Sequence, residues 1–277
     1  MFGISLIIIA TAFEEFAESS SKRWIGKSTE RLYSFGLLSV IWGAFLFSGF
    51  FLLRGGTIDV RSFPIIALRL LFEVFQIHLT INAIAKADRS TFGFLRILTI
   101  PLLLAVDVFL GYELNMYQLV GTATIVIALL FLFANHGLSR SGIWFVMGSA
   151  VNAVITISLY QYNIKHYNSI EVEQMIVFLF LAAYFMVLLG SRRRGALAAF
   201  FRENFLTGRS IALGAGSFLM SYAYVFAPAS VIIAGKRASA VFASLVSGNL
   251  VFHEKHIAVK LIAAFLIVTS IVLLALS

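Results

Sequence analysis

Three glutamates stand in one apolar stretch near the start of the chain, Glu14, Glu15 and Glu18 in IIIATAFEEFAESSSK. On a helix Glu14 and Glu18 share a face one turn apart, and Glu15 lies about 100° round. Like charges at that spacing cannot all ionise cheaply, and a carboxylate poised to take up a proton is what a coupling site needs. Glu14 and Glu15 are therefore candidates for proton or cation coupling. Glu18 reads equally as a solvated headgroup-level residue beside Ser19, Ser20, Ser21 and Lys22. Arg96, Lys236 and Arg237 are bases about a third of the way into later apolar stretches. They either face a polar site and hold an anionic group or snorkel to the interface. Tyr222 and Asn152 offer a hydroxyl and an amide to a ligand, although Asn152 also reads as interhelical glue. Arg69 and Glu73, one turn apart, fit a structural ion pair. His78 fits hydrogen-bonded packing, and Asp107, near the end of its stretch, can reach water.

Enzymatic chemistry has little to work with. The chain has no Cys, which removes thiolate metal sites and cysteine nucleophiles. The two histidines of His253-Glu-Lys-His256 are three apart, where a helical metalloprotease site needs four. No Gly-rich loop leads into Lys and Ser or Thr, and no nucleophile has a His and an acid beside it. Neither a metal nor a cofactor is expected.

The elements that position these residues follow from composition. Of 277 residues 60% are hydrophobic and 12% charged, with 28 Phe and a mean hydropathy of +0.96. Soluble domains carry roughly 25% charged residues, so the chain is read as all-α and integral to a membrane. The net charge of +8 does not point to nucleic acid, because the bases punctuate apolar runs rather than cluster on one surface. Spans of about 20 residues fit ten times, near 2–20, 32–53, 63–85, 90–111, 116–134, 142–163, 172–190, 208–226, 230–251 and 258–276. The first is expected to be a retained helix. Segment 191–209, SRRRGALAAFFRENFLTGR, reads as a basic interfacial amphipathic helix or as a basic loop at the headgroups.

The chain also resembles itself. An offset of 141 lays Arg96 on Arg237 and Glu113 on Glu254, each Arg followed seventeen residues later by Glu at a helix boundary. Gly3 and Gly142 open a similar match between the N-terminal ends, with an offset two residues shorter. Two repeats of five helices, 1–137 and 138–277, are expected. An odd number of spans per repeat turns them opposite ways, which is the inverted architecture of secondary transporters.

At these residues the chain resembles the drug/metabolite transporter superfamily, specifically the ten-helix EamA-like transporters. The resemblance covers nearly the whole chain and rests on RILTIPLLLAVDVFLGYE (96–113) and KRASAVFASLVSGNLVFHEK (236–255). Glu14, followed eight residues later by Lys22, is similar to the first helix of small multidrug resistance proteins, whose membrane glutamate binds proton and cationic drug in turn; Glu15 and Glu18 depart from that pattern. Arg96, Lys236 and Arg237 resemble the basic trio of plastid phosphate translocators in the same superfamily, implying an anionic substrate. A zwitterion such as an amino acid satisfies both poles.

The expected function is secondary transport of a small polar or amphiphilic metabolite in the inner or plasma membrane, by alternating access with a proton as candidate coupling ion. Its partners are that substrate and the membrane lipids. Passive facilitation, or a non-transporting sensor or assembly subunit, is the rival reading. Orientation is open. Fourteen loop bases lie on one face against Arg54, Arg61 and Lys165 on the other, which makes the richer face cytoplasmic and both termini external. The family resemblance implies cytoplasmic termini.

Overall fold

The computed structural model describes residues 2–26, 28–109, 116–135, 137–192, 195–226 and 229–275. Among these the chain is all-helical. The helices are α1 (Phe2–Ile25), α2 (Thr29–Arg54), α3 (Phe63–Lys86), α4 (Arg89–Leu95), α5 (Thr99–Phe109), α6 (Met116–Ala134), α7 (Ile143–His166), α8 (Ile170–Arg192), α9 (Ala196–Glu203), α10 (Gly208–Phe226), α11 (Ala229–Phe252) and α12 (Ile257–Ala275). Among the described residues six segments are long and apolar enough to cross a membrane: Thr29–Arg54, Val60–Lys86, Arg89–Val106, Met116–Ala134, Ile143–His166 and Ile170–Arg192. Their surroundings agree with that use. Leu53 is 84% exposed, Trp144 78% and Leu130 62%, large apolar side chains that face lipid in a membrane-spanning helix.

Local chemistry sets the helix ends. The Ser28 hydroxyl caps α2 by accepting from the Arg31 N–H at 3.3 Å, and Pro64 opens α3, where a missing N–H costs nothing. Pro101 divides the stretch read from the sequence as one span. It removes the bond to the Ile97 carbonyl and crowds it, and the chain tightens into a 3-10 turn, Arg96–Leu98, between α4 and α5. Arg96 thus sits at a break, whereas Arg237 sits within the continuous α11.

The bundle is held by pairs. α1 packs on α10 and α11, α2 on α8, α3 on α7, α4 on α11 and α6 on α12. One core gathers Phe35, Phe47's neighbours on α2, Ile81, Phe92, Phe185, Leu189 and Phe200; a second gathers Phe94, Ile97, Ile125, Val241 and Ile267. Each draws on residues before and after position 138. Within 191–209, α9 turns Ala196 and Phe200 inward, one helical turn apart, while Arg202 and Glu203 stay exposed and pair at 2.7 Å. Glu113 and the side chains of Asp107 and Tyr224 lie outside what is described.

Candidate functional site

The two cores meet where α1, α4 and α11 converge, and the charged residues gather there. Two close approaches make this possible. A side chain at Gly93 would collide with the Ser244 hydroxyl and lie 3.3 Å from the Ala240 carbonyl, so α4 reaches α11 only through glycine. A Cβ at Gly216 would fall 2.9 Å from the Glu14 side chain and 3.0 Å from the Ala10 carbonyl, where α10 meets α1.

Glu15 is the most firmly held acid. Its Oε1 accepts from Arg89 Nε at 3.1 Å, Ser19 Oγ at 2.9 Å and Ser247 Oγ at 2.6 Å, and its Oε2 accepts from Arg89 Nη2 at 2.8 Å. Arg89 Nη2 also donates to Glu18 Oε2 at 2.7 Å. The Arg89 side chain has no exposed surface. Glu14 is held differently, among the described residues by Lys236 Nζ alone at 3.0–3.1 Å, and both side chains keep about a fifth of their surface accessible (18% and 22%).

The remaining bases close the site. The Arg89 and Arg96 guanidiniums each stand 5.0 Å from the centre of the Phe92 ring, a cation–π arrangement that favours desolvated cations. Among the described residues Arg96 Nε is buried without a hydrogen-bond partner, as is the Thr11 hydroxyl. Arg237, 4% exposed, donates from Nε to Thr99 Oγ1 at 3.0 Å. Thr11, Glu14, Glu15, Glu18, Phe92, Arg96, Lys236 and Arg237 line a cavity of about 20 Å³, room for roughly one water. Around it stand three acids against four bases, counting Arg89, so the fully ionised cluster carries one positive charge in excess.

The structure therefore brings together Glu14, Glu15, Arg96, Lys236 and Arg237, which the sequence had singled out from three distant segments. It places the other candidates elsewhere. Asn152 Nδ2 donates to the Phe72 carbonyl at 2.9 Å and to Gln76 Oε1 at 3.0 Å, tying α7 to α3. Tyr222 donates to Glu171 at 3.4 Å. Arg69 lies 3.4 Å from Glu73 and 2.7 Å from Glu173, over the Tyr160 ring. Asn163 and Asn168 complete that second network by donating to Glu173 at 3.0 and 2.8 Å. His78 shares a hydrogen bond of 2.8 Å with the Tyr184 hydroxyl.

Arg89 escaped the sequence reading. Counted among the loop bases, it is instead wholly buried, and Lys260, also counted there, is 4% exposed and bound to Glu254 at 3.0 Å. Glu254, between α11 and α12, caps α4. It accepts from the Arg89 N–H at 2.7 Å, from the Ser90 N–H at 3.3–3.4 Å and from the Ser90 hydroxyl. Burial pushes its carboxyl up, but Ser90 and Lys260 outweigh that and hold it below the usual carboxylate value. One signal was available: three glutamates within five residues need a buried cation, and Arg89 opens an apolar stretch.

No known protein family model matches the chain, and no curated protein matches it.

Proposed function

We propose that the chain is a secondary transporter of the drug/metabolite type, with ten membrane spans in two inverted five-helix repeats, and that the charged site between α1, α4 and α11, closed here to room for about one water, opens during alternating access to bind its substrate. The carrying observation is convergence. An acid from the first helix and bases from both halves, Glu14, Arg96, Lys236 and Arg237, line one buried cavity. Buried ionisable groups in an apolar bundle mark substrate or ion pathways by default, and inverted repeats put such a site at their interface.

Helix pairing supports the repeat. Exchanging α1 with α7, α2 with α8, α3 with α10, α4–α5 with α11 and α6 with α12 converts the α1–α10 contact into α7–α3. The same exchange returns α2–α8, α4–α11 and α6–α12 onto themselves, as a two-fold axis between halves would. The resemblance of segments 96–113 and 236–255 to EamA-like transporters adds to it. The end of the bundle rich in Lys and Arg faces the cytoplasm in this reading.

The substrate is a small polar or amphiphilic metabolite, with its anionic end oriented by Arg96 and Arg237. Glu14 carries the proton step, because Lys236, its one partner among the described residues, can be exchanged for a substrate ammonium group. Glu15, with four donors, serves as an anchor. Flux into proteoliposomes under an imposed pH gradient tests this, using labelled pools of amino acids, organic cations and phosphorylated metabolites. Wild type accumulates one pool, and Glu14→Gln equilibrates it without accumulation. Unchanged accumulation by Glu14→Gln removes the coupling role, gradient-independent flux by wild type makes the protein a facilitator, and absence of flux from folded protein overturns transport.

A further inference from the structure

Away from the cavity, two arginines converge on one indole. The Arg209 guanidinium, in the first turn of α10, lies 3.9 Å from the centre of the Trp24 ring, and that of Arg31, in the first turn of α2, lies 6.0 Å from it. Each is held by one neutral acceptor. Arg31 Nη1 donates to the Trp24 carbonyl at 3.1 Å, and Arg209 Nη2 donates to Asn204 Oδ1 at 2.7 Å. Among the described residues Arg209 Nε is buried with no hydrogen-bond partner, and the Arg31 charge acts on Arg209.

No carboxylate answers them. Among the described residues neither arginine forms an ion pair; Glu30, beside Arg31 in the chain, makes none, and Glu203 is taken by Arg202 at 2.7 Å. Two like charges brought to one aromatic ring repel. A shared anion would offset that repulsion, and planar guanidiniums suit the paired oxygens of a phosphate. The turn beside the two arginines is also firmly held. Trp42 donates to Ser210 Oγ at 2.9 Å and stacks on Phe205 at 4.8 Å, fixing the turn that leads into Arg209. On the same turn Leu206 is 72% exposed and Phe201, on α9, is 40% exposed, apolar surface beside the charge as at a headgroup boundary.

We infer that Trp24, Arg31 and Arg209 form a binding site for a phosphate group, separate from the central cavity. The phosphate belongs either to an anionic lipid headgroup or to a water-soluble phosphate.

Equilibrium binding to the purified full-length protein in neutral detergent, followed by intrinsic Trp fluorescence, distinguishes the sources. The probes are dioctanoyl phosphatidylglycerol, dioctanoyl phosphatidylcholine and inorganic phosphate. Saturable binding of phosphatidylglycerol, at least ten-fold weaker in Arg31→Gln and in Arg209→Gln, supports the site and assigns it to lipid. The same loss seen with inorganic phosphate supports the site and assigns it to the aqueous side. Equal affinities in wild type and both variants for all three probes, or no binding at all, overturn the proposal. Arg31 is exposed, so Arg31→Gln decides the matter should Arg209→Gln not fold. The outcome is independent of flux and leaves the transport reading untouched either way.

Discussion

Arg89 Nη2 stands 2.8 Å from Glu15 Oε2 and 2.7 Å from Glu18 Oε2, so one guanidinium without exposed surface joins the start of α4 to the acidic face of α1. Breaking a buried pair by removing one partner typically costs about 3–5 kcal/mol, since a charge is left uncompensated. Arg89→Met is therefore expected to lower the thermal midpoint steeply in detergent. Arg89→Lys should recover only part of the loss, because an ammonium cannot bridge both oxygens of Glu15 in the guanidinium's planar geometry. Equal melting of Met and Lys variants would show that the fork geometry is irrelevant.

Gly93 predicts a steric test at the α4–α11 contact. Gly93→Ala places a methyl against Ser244 and should destabilise by about 1–3 kcal/mol, the usual range for overpacking. Ser244→Gly in the same chain should restore part of it. A double variant no more stable than Gly93→Ala would move the conflict to the Ala240 backbone.

Glu254 predicts a pH dependence with a definite sign. Its carboxyl is held below the ordinary value of 4.5 by the hydrogen bonds from Ser90 and Lys260, against the opposing effect of burial. A lowered folded-state pKa contributes stability that is fully present above the unfolded value and lost as pH falls through the folded one. Glu254→Gln should thus melt below wild type at neutral pH, and the gap should narrow once the pH drops under about 4.5. A gap that stays constant down to pH 3 would mean that the carboxylate charge contributes nothing.

Glu173 predicts the behaviour of the second network. Its side chain has no exposed surface and accepts from Arg69, Asn163 and Asn168. Glu173→Gln keeps the shape but withdraws the nearer of the two carboxylates from Arg69, which retains Glu73 at 3.4 Å. An effect of about 1–3 kcal/mol follows for hydrogen bonds to a charged group, smaller than that of Arg89→Met. A larger effect would make this network, rather than the Arg89 clamp, the stronger tie in the bundle.

How much of this was legible in the sequence depended on what each residue's neighbours revealed. Helicity and membrane character followed from apolar runs interrupted by single charges, a pattern that survives any detail of packing. The convergence of Glu14, Arg96, Lys236 and Arg237 was approachable because laying the sequence on itself with an offset of 141 sets Arg96 on Arg237 and because charges in apolar helices must find one another. Arg89 was not legible, since a base at the first turn of a helix looks the same whether it reaches water or folds inward; only the position of α1 decides. Tyr222 and Asn152 had no rotational reference either. Their faces depend on which helices pack beside them, and α8 and α3 take them away from the cavity. The break at Arg96 was present in Pro101, three residues beyond the turn.

The central claim is that Glu14 is the proton-loading member of a substrate site. Its most direct test is proton release from the purified protein, measured in weakly buffered detergent solution on adding amino acids, organic cations or phosphorylated metabolites, beside Glu14→Gln. The account predicts release on addition of one class and none from the variant. Release of equal size from Glu14→Gln, or silence from every class in folded wild-type protein, would contradict it.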